Sequence, residues 1–226
     1  MKLSIIMPVL NEAGRITDAL NALKPLRERG MEIVVVDGGS DDDTLVLAAR
    51  GADHVIIAPR GRAPQQNAGA ARSSGDVLLF LHSDTTLPPD ADRLIAQALN
   101  DEQKSWGRFD VAFDSSQVMM RIVAAMMNLR SRLTGVATGD QCLFVRRDTF
   151  VAVGGFPTIA LMEDIALSKL LRKRSAPVCL RPPVTTSARR WQKHGVWRTI
   201  FLMNWLRLAY VLGVSPDRLA RWYGYR

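Results

Sequence analysis

The stretch VLLFLHSDT, residues 77–85, ends an apolar run on two side chains able to bind a divalent ion, His82 and Asp84. Residues two apart on an extended backbone point to the same side, so the spacing predicts that this pair converges while Ser83 faces away. A hard ion such as Mg2+ or Mn2+, held by one carboxylate and completed by diphosphate oxygens and water, suits such a strand tip. An imidazole is softer than a carboxylate and shifts the preference toward Mn2+. The same histidine would also serve as a plain strand cap. In DGGSDDDT, residues 37–44, the carboxylates exceed what a helix N-terminus needs for capping, although capping alone would use some of them. Asp37 ends another apolar run, Gly39 permits a tight backbone, and Asp37 and Asp41 offer acceptors for a base N–H or ribose hydroxyls. Phosphate beside them would be repelled unless a cation intervened. In PRGRAPQQNAG, Arg60 and Arg62 precede a helical stretch, where guanidinium forks and backbone amides both suit a diphosphate; Arg62 is the nearer, and an exposed loop arginine is the alternative.

The elements that must hold these groups follow from the pattern. Continuous Val/Ile/Leu runs, LSIIMPV, EIVVVD, HVIIAP and DVLLFLH, alternate with helical stretches at about 14–29, 44–50, 65–73 and 90–99. That alternation predicts an α/β fold with a mostly parallel central sheet and helices on both faces. Ligands of such sheets bind beyond the carboxyl ends of the strands. Polar residues cluster there after the first, second and fourth strands, as PVLNE, DGGSDD and HSD. Beyond Trp106 come a strand GRFDVAF, a Met-rich helix over 118–133, a strand CLFVRR, a GGFP turn and a helix beginning near Glu163. Val118, Ile122, Met126, Leu129 and Leu133 form one stripe of the Met-rich helix. Ordinary core packing accounts for it, and methionines also make adaptable apolar surfaces for a lipid chain.

The series PVLNE, DGGSDD, NAGAARSSGD running into VLLFLHSDT, then GGF and MED, resembles the family 2 glycosyltransferases with the GT-A nucleotide-sugar-binding fold, over roughly residues 3–174. The resemblance implies a hexosyltransferase-class enzyme that moves a sugar, with inversion, from a nucleoside diphosphate donor, UDP or GDP, to a hydroxyl or phosphate acceptor that is lipid-linked or otherwise, with Mn2+ or Mg2+ as cofactor. On it Pro8, Asn11, Glu12, Asp37, Gly39, Asp41, Arg62, Asn67 and Ser83 would hold the nucleotide sugar. The HSD segment would stand where the family carries its Asp-x-Asp metal motif. Here the first aspartate is replaced by His82, while Asp84 keeps the essential ligand. Asp164, with Glu163 beside it, would supply the catalytic base, which must lie next to the acceptor hydroxyl on the face opposite the leaving diphosphate; a capping role at the helix start is the alternative. Gly139, Asp140 and Gln141 resemble the family's acceptor segment. Trp191 and His194, in RRWQKHGVWR, would lie in its basic, Trp-containing segment that closes over donor phosphates, and His194 would also read as a surface histidine.

The 226 residues suffice for one sizeable core. The net charge of +8 is uneven: from Lys169 onward 13 Lys or Arg face one acid, Asp217. That tail also holds Trp191, Trp197, Trp205 and Trp222, a mixture suited to an anionic membrane surface. The expected division is a catalytic domain over 1–188 and a basic, helical extension over 189–226, packed on the body or lying at a membrane surface. The apolar helix expected over 196–212, seventeen residues with two arginines, is short for a bilayer span. Cys142 and Cys179 read as reduced thiols, and the first residues lack a signal-peptide pattern. A cytoplasmic enzyme, peripheral on the inner membrane face if the tail binds lipid, is the expectation. Rival readings are a non-catalytic nucleotide-binding protein of this fold and a basic membrane-binding module. The acidic strand ends repel a nucleic-acid backbone and argue against such a partner. No feature points to an oligomeric state.

Overall fold

In the computed structural model, which describes residues 1–224 apart from the His194 side chain, the Val/Ile/Leu runs form one half of an eight-stranded sheet. The first half contributes β1 (Leu3–Val9), α1 (Ile16–Glu28), β2 (Glu32–Asp37), α2 (Thr44–Ala48), β3 (His54–Ile57), α3 (Arg62–Arg72), β4 (Val77–Phe80), β5 (Thr85–Thr86) and α4 (Ala91–Ala98). The second contributes β6 (Trp106–Phe113), α5 (Val118–Thr134), β7 (Phe144–Arg146), α6 (Arg147–Ala152), α7 (Glu163–Leu171), β8 (Val178–Thr186), α8 (Arg189–His194), α9 (Val196–Val211) and α10 (Pro216–Tyr223).

The strand order is β3-β2-β1-β4-β7-β6-β8-β5, with the first four parallel, β7 antiparallel to both neighbours, and β6 and β8 parallel. Chain order reverses at β1, which pairs with both β2 and β4. The loops after β1 and β4 therefore leave the sheet side by side, at the switch point where open α/β sheets bind ligands. Alternation along the strands separates the two faces. Ile5, Met7, Leu79 and Leu81 pack under α1, α4 and α5, whereas Ile6, Val36, Leu78 and Phe80 pack under α3, α6 and α7. A methyl group on Gly69 would lie 2.4 Å from Ile6 Cγ2, so α3 sits as close to the sheet as backbone allows.

Three local expectations are revised. Helix α3 begins at Arg62 rather than Gln65, because proline is tolerated in a first turn and Pro64 falls there. β8, which contains Pro182 and Pro183, escapes a pattern reading because proline cannot donate to a ladder. The register solves this with a bulge, as Phe109 pairs with Leu180 and Asp110 with Pro183. The apolar stripe of α5 is not core: Val118, Ile122, Met126, Leu129 and Leu133 are all exposed, and Met120, Val123, Ala124 and Met127 are buried instead. The helix is apolar on both faces, and its other face meets the sheet.

The basic tail packs on the body. Leu206 and Ala209 of α9 and Leu219 and Ala220 of α10 cluster with Leu161, Met162 and Ile165 around the start of α7. Trp197, Phe201, Trp205, Leu208 and Val211 remain exposed along α9. Among the described residues no helix is long and apolar enough to cross a membrane. Both cysteines are free thiols, Cys142 buried and Cys179 partly so.

Candidate active site

The loops after β1 and β2 are sewn together. Ser40 Oγ accepts from the Asn11 amide at 2.8 Å, Asn11 Oδ1 from the Asp41 amide at 2.8 Å, and Thr44 Oγ1 from the Glu12 amide at 2.8 Å. Asn11 takes a left-handed conformation, φ 54°, which asparagine tolerates better than most side chains. Asp37 is fully buried, and its carboxylate accepts from the Gly39 and Ser40 amides, each at 2.7 Å, and from the Ser40 hydroxyl at 2.5 Å. It shapes the loop, leaving Gly39 and Asp41 at the surface. Gln65, which sequence reasoning missed, donates through Nε2 to the Val9 and Val36 carbonyls at 2.8 Å and so ties α3 to the ends of β1 and β2. Its place in a helical stretch among the small residues Ala63, Gly69 and Ala70 was the available signal.

Strand β4 stops at Phe80, and His82 to Thr85 form a turn closed by the Thr85 amide on the His82 carbonyl at 3.1 Å. The alternation argument for His82 and Asp84 therefore does not hold, since it needs extended backbone. The turn nevertheless brings both to one cleft. His82 Nδ1 lies 3.8 Å from Asp140 Oδ1. Burial and the facing Arg62 push the imidazole below its ordinary value, against the pull of Asp140, Asp84 and Asp164, leaving the ring neutral with a lone pair at neutral pH. Across the switch point, burial raises the Glu12 carboxyl; Asp84 adds to this, while Arg15, the Ser83 hydroxyl and Arg189 oppose it. Among the described residues no group of three His, Cys, Asp or Glu side chains is close enough to hold a metal ion. An ion bound at Asp84 and His82 thus requires further oxygens from a ligand, as a diphosphate would provide.

Helix α7 starts from Met162, held at φ 71°. Asp164 Oδ2 accepts the Gly139 amide at 2.9 Å, and Oδ1 accepts the Ile165 amide at 2.7 Å. Glu163 is buried, and burial followed by the charge of Asp164 pushes its carboxyl up to about 7, with Arg62 opposing. Arg62 Nη1 stands 3.9 Å from Glu163 Oε1. Gly139 permits close contact, because a methyl group there would lie 2.6 Å from His82 Cε1.

These groups line a cleft of about 450 Å3. Of the residues singled out from sequence, it gathers Arg62, His82, Asp84, Gly139, Asp140, Glu163, Asp164 and Trp191. Trp191 stands edge-on to Phe113, ring centroids 5.6 Å apart. Pro8, Asn11, Glu12, Asp37, Gly39, Asp41, Asn67, Ser83 and Gln141 lie outside its lining. For two of them the bonding gives the reason. Asn67 bonds both ways to the Phe156 backbone, donating to its carbonyl at 2.8 Å and accepting its amide at 2.9 Å, and so fixes the GGF turn. Gln141 is fully buried and held by Thr138 and Asn128. The His194 side chain is outside the described residues. Much of the remaining wall comes from α5 and α9, including Met126, Arg130, Met203 and Arg207, which periodicity alone could not aim at a site.

Comparison with known proteins now adds to this geometry. A family model described as glycosyl transferase family 2 matches residues 4–152. An uncharacterized glycosyltransferase of Haemophilus influenzae is 24% identical over 196 residues, covering 81% of this chain and 67% of that protein. A glucosyl-3-phosphoglycerate synthase of Mycobacterium tuberculosis is 28% identical over 96 residues, 38% of this chain and 30% of that one. Among solved structures, a mannosyltransferase from Pyrobaculum calidifontis in complex with GDP-Man and Mn2+ superposes with a TM-score of 0.69 at 20% identity, over 99% of this chain and 69% of that one. The mycobacterial synthase with Mn2+, UDP and glucosyl-3-phosphoglycerate gives 0.61 at 20% identity, over 80% and 70%.

Proposed function

This chain belongs to glycosyl transferase family 2, and from that premise we propose that it moves a sugar, with inversion, from UDP or GDP to an acceptor hydroxyl or phosphate. The observation that carries the proposal is that Asp84 and Asp164 line one cleft at the carboxyl edge of the sheet, although 80 positions separate them in sequence. Donor complexes of fold neighbours, with UDP and Mg2+ or with GDP-Man and Mn2+, support the donor class and a divalent ion.

In this reading the nucleoside lies along the sewn loops of Asn11, Glu12, Gly39 and Asp41, and its diphosphate faces Arg62 and the Trp191 segment. Asp84 and the neutral His82 would hold the ion, which when bound neutralises the charge of the departing diphosphate. Asp164 takes the proton of the acceptor hydroxyl while that oxygen bonds to the anomeric carbon and the bond to the diphosphate oxygen breaks. Its carboxylate is oriented by the Gly139 and Ile165 amides, so its remaining lone pairs face the cleft from a fixed position. Glu163 is more buried, and at a value of about 7 it is protonated about half the time near neutral pH. It stands next to Asp164 in the chain and beside Arg62, and we assign it a positioning role.

Residues 1–188 act as the catalytic unit and 189–226 as a wall of the cleft. The exposed apolar positions of α5 and α9, on helices that also carry Arg121 and Arg198, favour a lipid-linked acceptor met at an anionic membrane face. Incubation with Mn2+ and a panel of UDP- and GDP-sugars tests the proposal. Release of the nucleoside diphosphate that is lost in Asp84→Ala and Asp164→Asn is the expected result. No release with any donor would refute it and favour a non-catalytic binding protein.

A further inference from the structure

Two arginines that no sequence motif singled out face the cleft without partners. Arg130, on α5, lines the cleft, and its Nε and Nη2 are sealed from solvent with no hydrogen-bond partner. Arg207, on α9, lines it too, and no hydrogen bond or ion pair joins it to any described residue. Guanidinium donors sealed from solvent without acceptors are costly, and in a folded protein each calls for a reason, of which a ligand that completes them is one. Burial pushes Arg130 down to about 10, with Arg207 adding and Asp164 opposing, so it still carries its charge at neutral pH. Burial lowers Arg207 as well, against the pull of Asp164 and Asp140.

Their neighbours locate the pair within the cleft. The acids facing Arg130 and Arg207 are Asp164 and Asp140, whereas the cations facing Glu12, across from Asp84, are Arg15 and Arg189. Both arginines thus face Asp164, the residue read as the base, while Asp140, which Arg207 also faces, stands 3.8 Å from His82. We propose that Arg130 and Arg207 form an anion subsite on the acceptor side, and that the acceptor carries a phosphate group close to the hydroxyl it presents to Asp164. Two neighbouring guanidinium forks in one cleft match a tetrahedral oxyanion, which each can grip through paired N–H donors. The assignment rests on the reading of Asp164 as the base. The phosphate belongs either to a soluble ester or to a lipid headgroup.

Calorimetric titration of the full chain, preloaded with Mn2+ and UDP or GDP, tests this with two probes. One is inorganic phosphate, and the other is dodecyl phosphate in phosphatidylcholine vesicles. Wild type binds at least one, and Arg130→Met and Arg207→Met each weaken that binding by about tenfold or more while nucleoside diphosphate affinity stays within about twofold. Binding of inorganic phosphate supports a soluble ester, and binding in the vesicle arm alone supports a lipid phosphate. Binding in neither arm, or equal binding in both variants, overturns the subsite. A matching loss of nucleoside diphosphate affinity overturns it as well, by giving the arginines to the donor. Without ligand, Arg130→Met melts above wild type, because an uncompensated charge has gone; a lower melting temperature would mean that the guanidinium has a partner. A wild type that binds no nucleoside diphosphate with Mn2+ overturns the sugar-transfer reading and this one together, whereas the other adverse results leave sugar transfer standing.

Discussion

Replacing Glu163 with glutamine isolates a carboxyl whose ionisation the fold opposes. Glu163 is only 4% exposed, and its carboxyl is pushed from an ordinary value of 4.5 up to about 7. Between those values the folded protein binds a proton that the unfolded chain has released, so stability falls as pH rises across that window. The contribution is complete below about pH 4.5 and gone above about pH 7. At about 1.4 kcal/mol per unit, the shift corresponds to about 3 kcal/mol. Glutamine keeps the shape and cannot ionise. Urea unfolding of both proteins in EDTA, followed by tryptophan fluorescence from about pH 4.5 to about pH 8, should show the variant gaining about 3 kcal/mol on wild type across the range. In a chain of this size that equals roughly 6–12 °C in melting temperature at the alkaline end. Curves that stay parallel from acid to alkaline pH would refute the claim that burial beside Asp164 raises this group.

Asp84→Ala should abolish Mn2+-dependent enhancement of UDP or GDP binding, measured by calorimetry with and without EDTA; undiminished enhancement would remove Asp84 as the ligand. Gly139→Ala puts a methyl group 2.6 Å from His82 Cε1 and should lower sugar transfer by about tenfold or more, with little change in melting temperature, whereas unchanged turnover would mean that this contact is not part of the working geometry. Asn67→Ala removes both bonds to Phe156 and should cost about 1–3 kcal/mol in denaturant unfolding without altering nucleoside diphosphate affinity. Trp197→Ser with Phe201→Ser should reduce co-sedimentation with phosphatidylglycerol vesicles if α9 meets lipid, and equal pelleting would exclude that face.

Strands β1, β2 and β4 were legible because they are buried on both faces and read as unbroken Val/Ile/Leu runs. The tip of β4 and the start of α7 stood out too, because His82, Asp84, Glu163 and Asp164 carry chemistry that a core has no use for. What escaped depends on tertiary context. β8 hides behind two prolines that only a bulge accommodates, and α5 is apolar on both faces, so its pattern could not say which one meets the sheet. Asp37 and Asn67 carried side chains suited to ligands, yet their partners turned out to be backbone amides and a carbonyl beside them. Arg130 and Arg207 stood unnoticed among ordinary helix arginines because their lack of partners exists only once α5 and α9 are folded against the cleft.

The most direct test of the central claim is a crystal structure of the full chain soaked with Mn2+ and UDP or GDP, with the anomalous signal of manganese recorded. The account predicts a manganese peak at coordination distance from the Asp84 carboxylate, with the diphosphate bridging toward Arg62 and Asp164 facing the open acceptor side of the same cleft. A nucleotide bound elsewhere, or bound in the cleft with no manganese at Asp84, would contradict it.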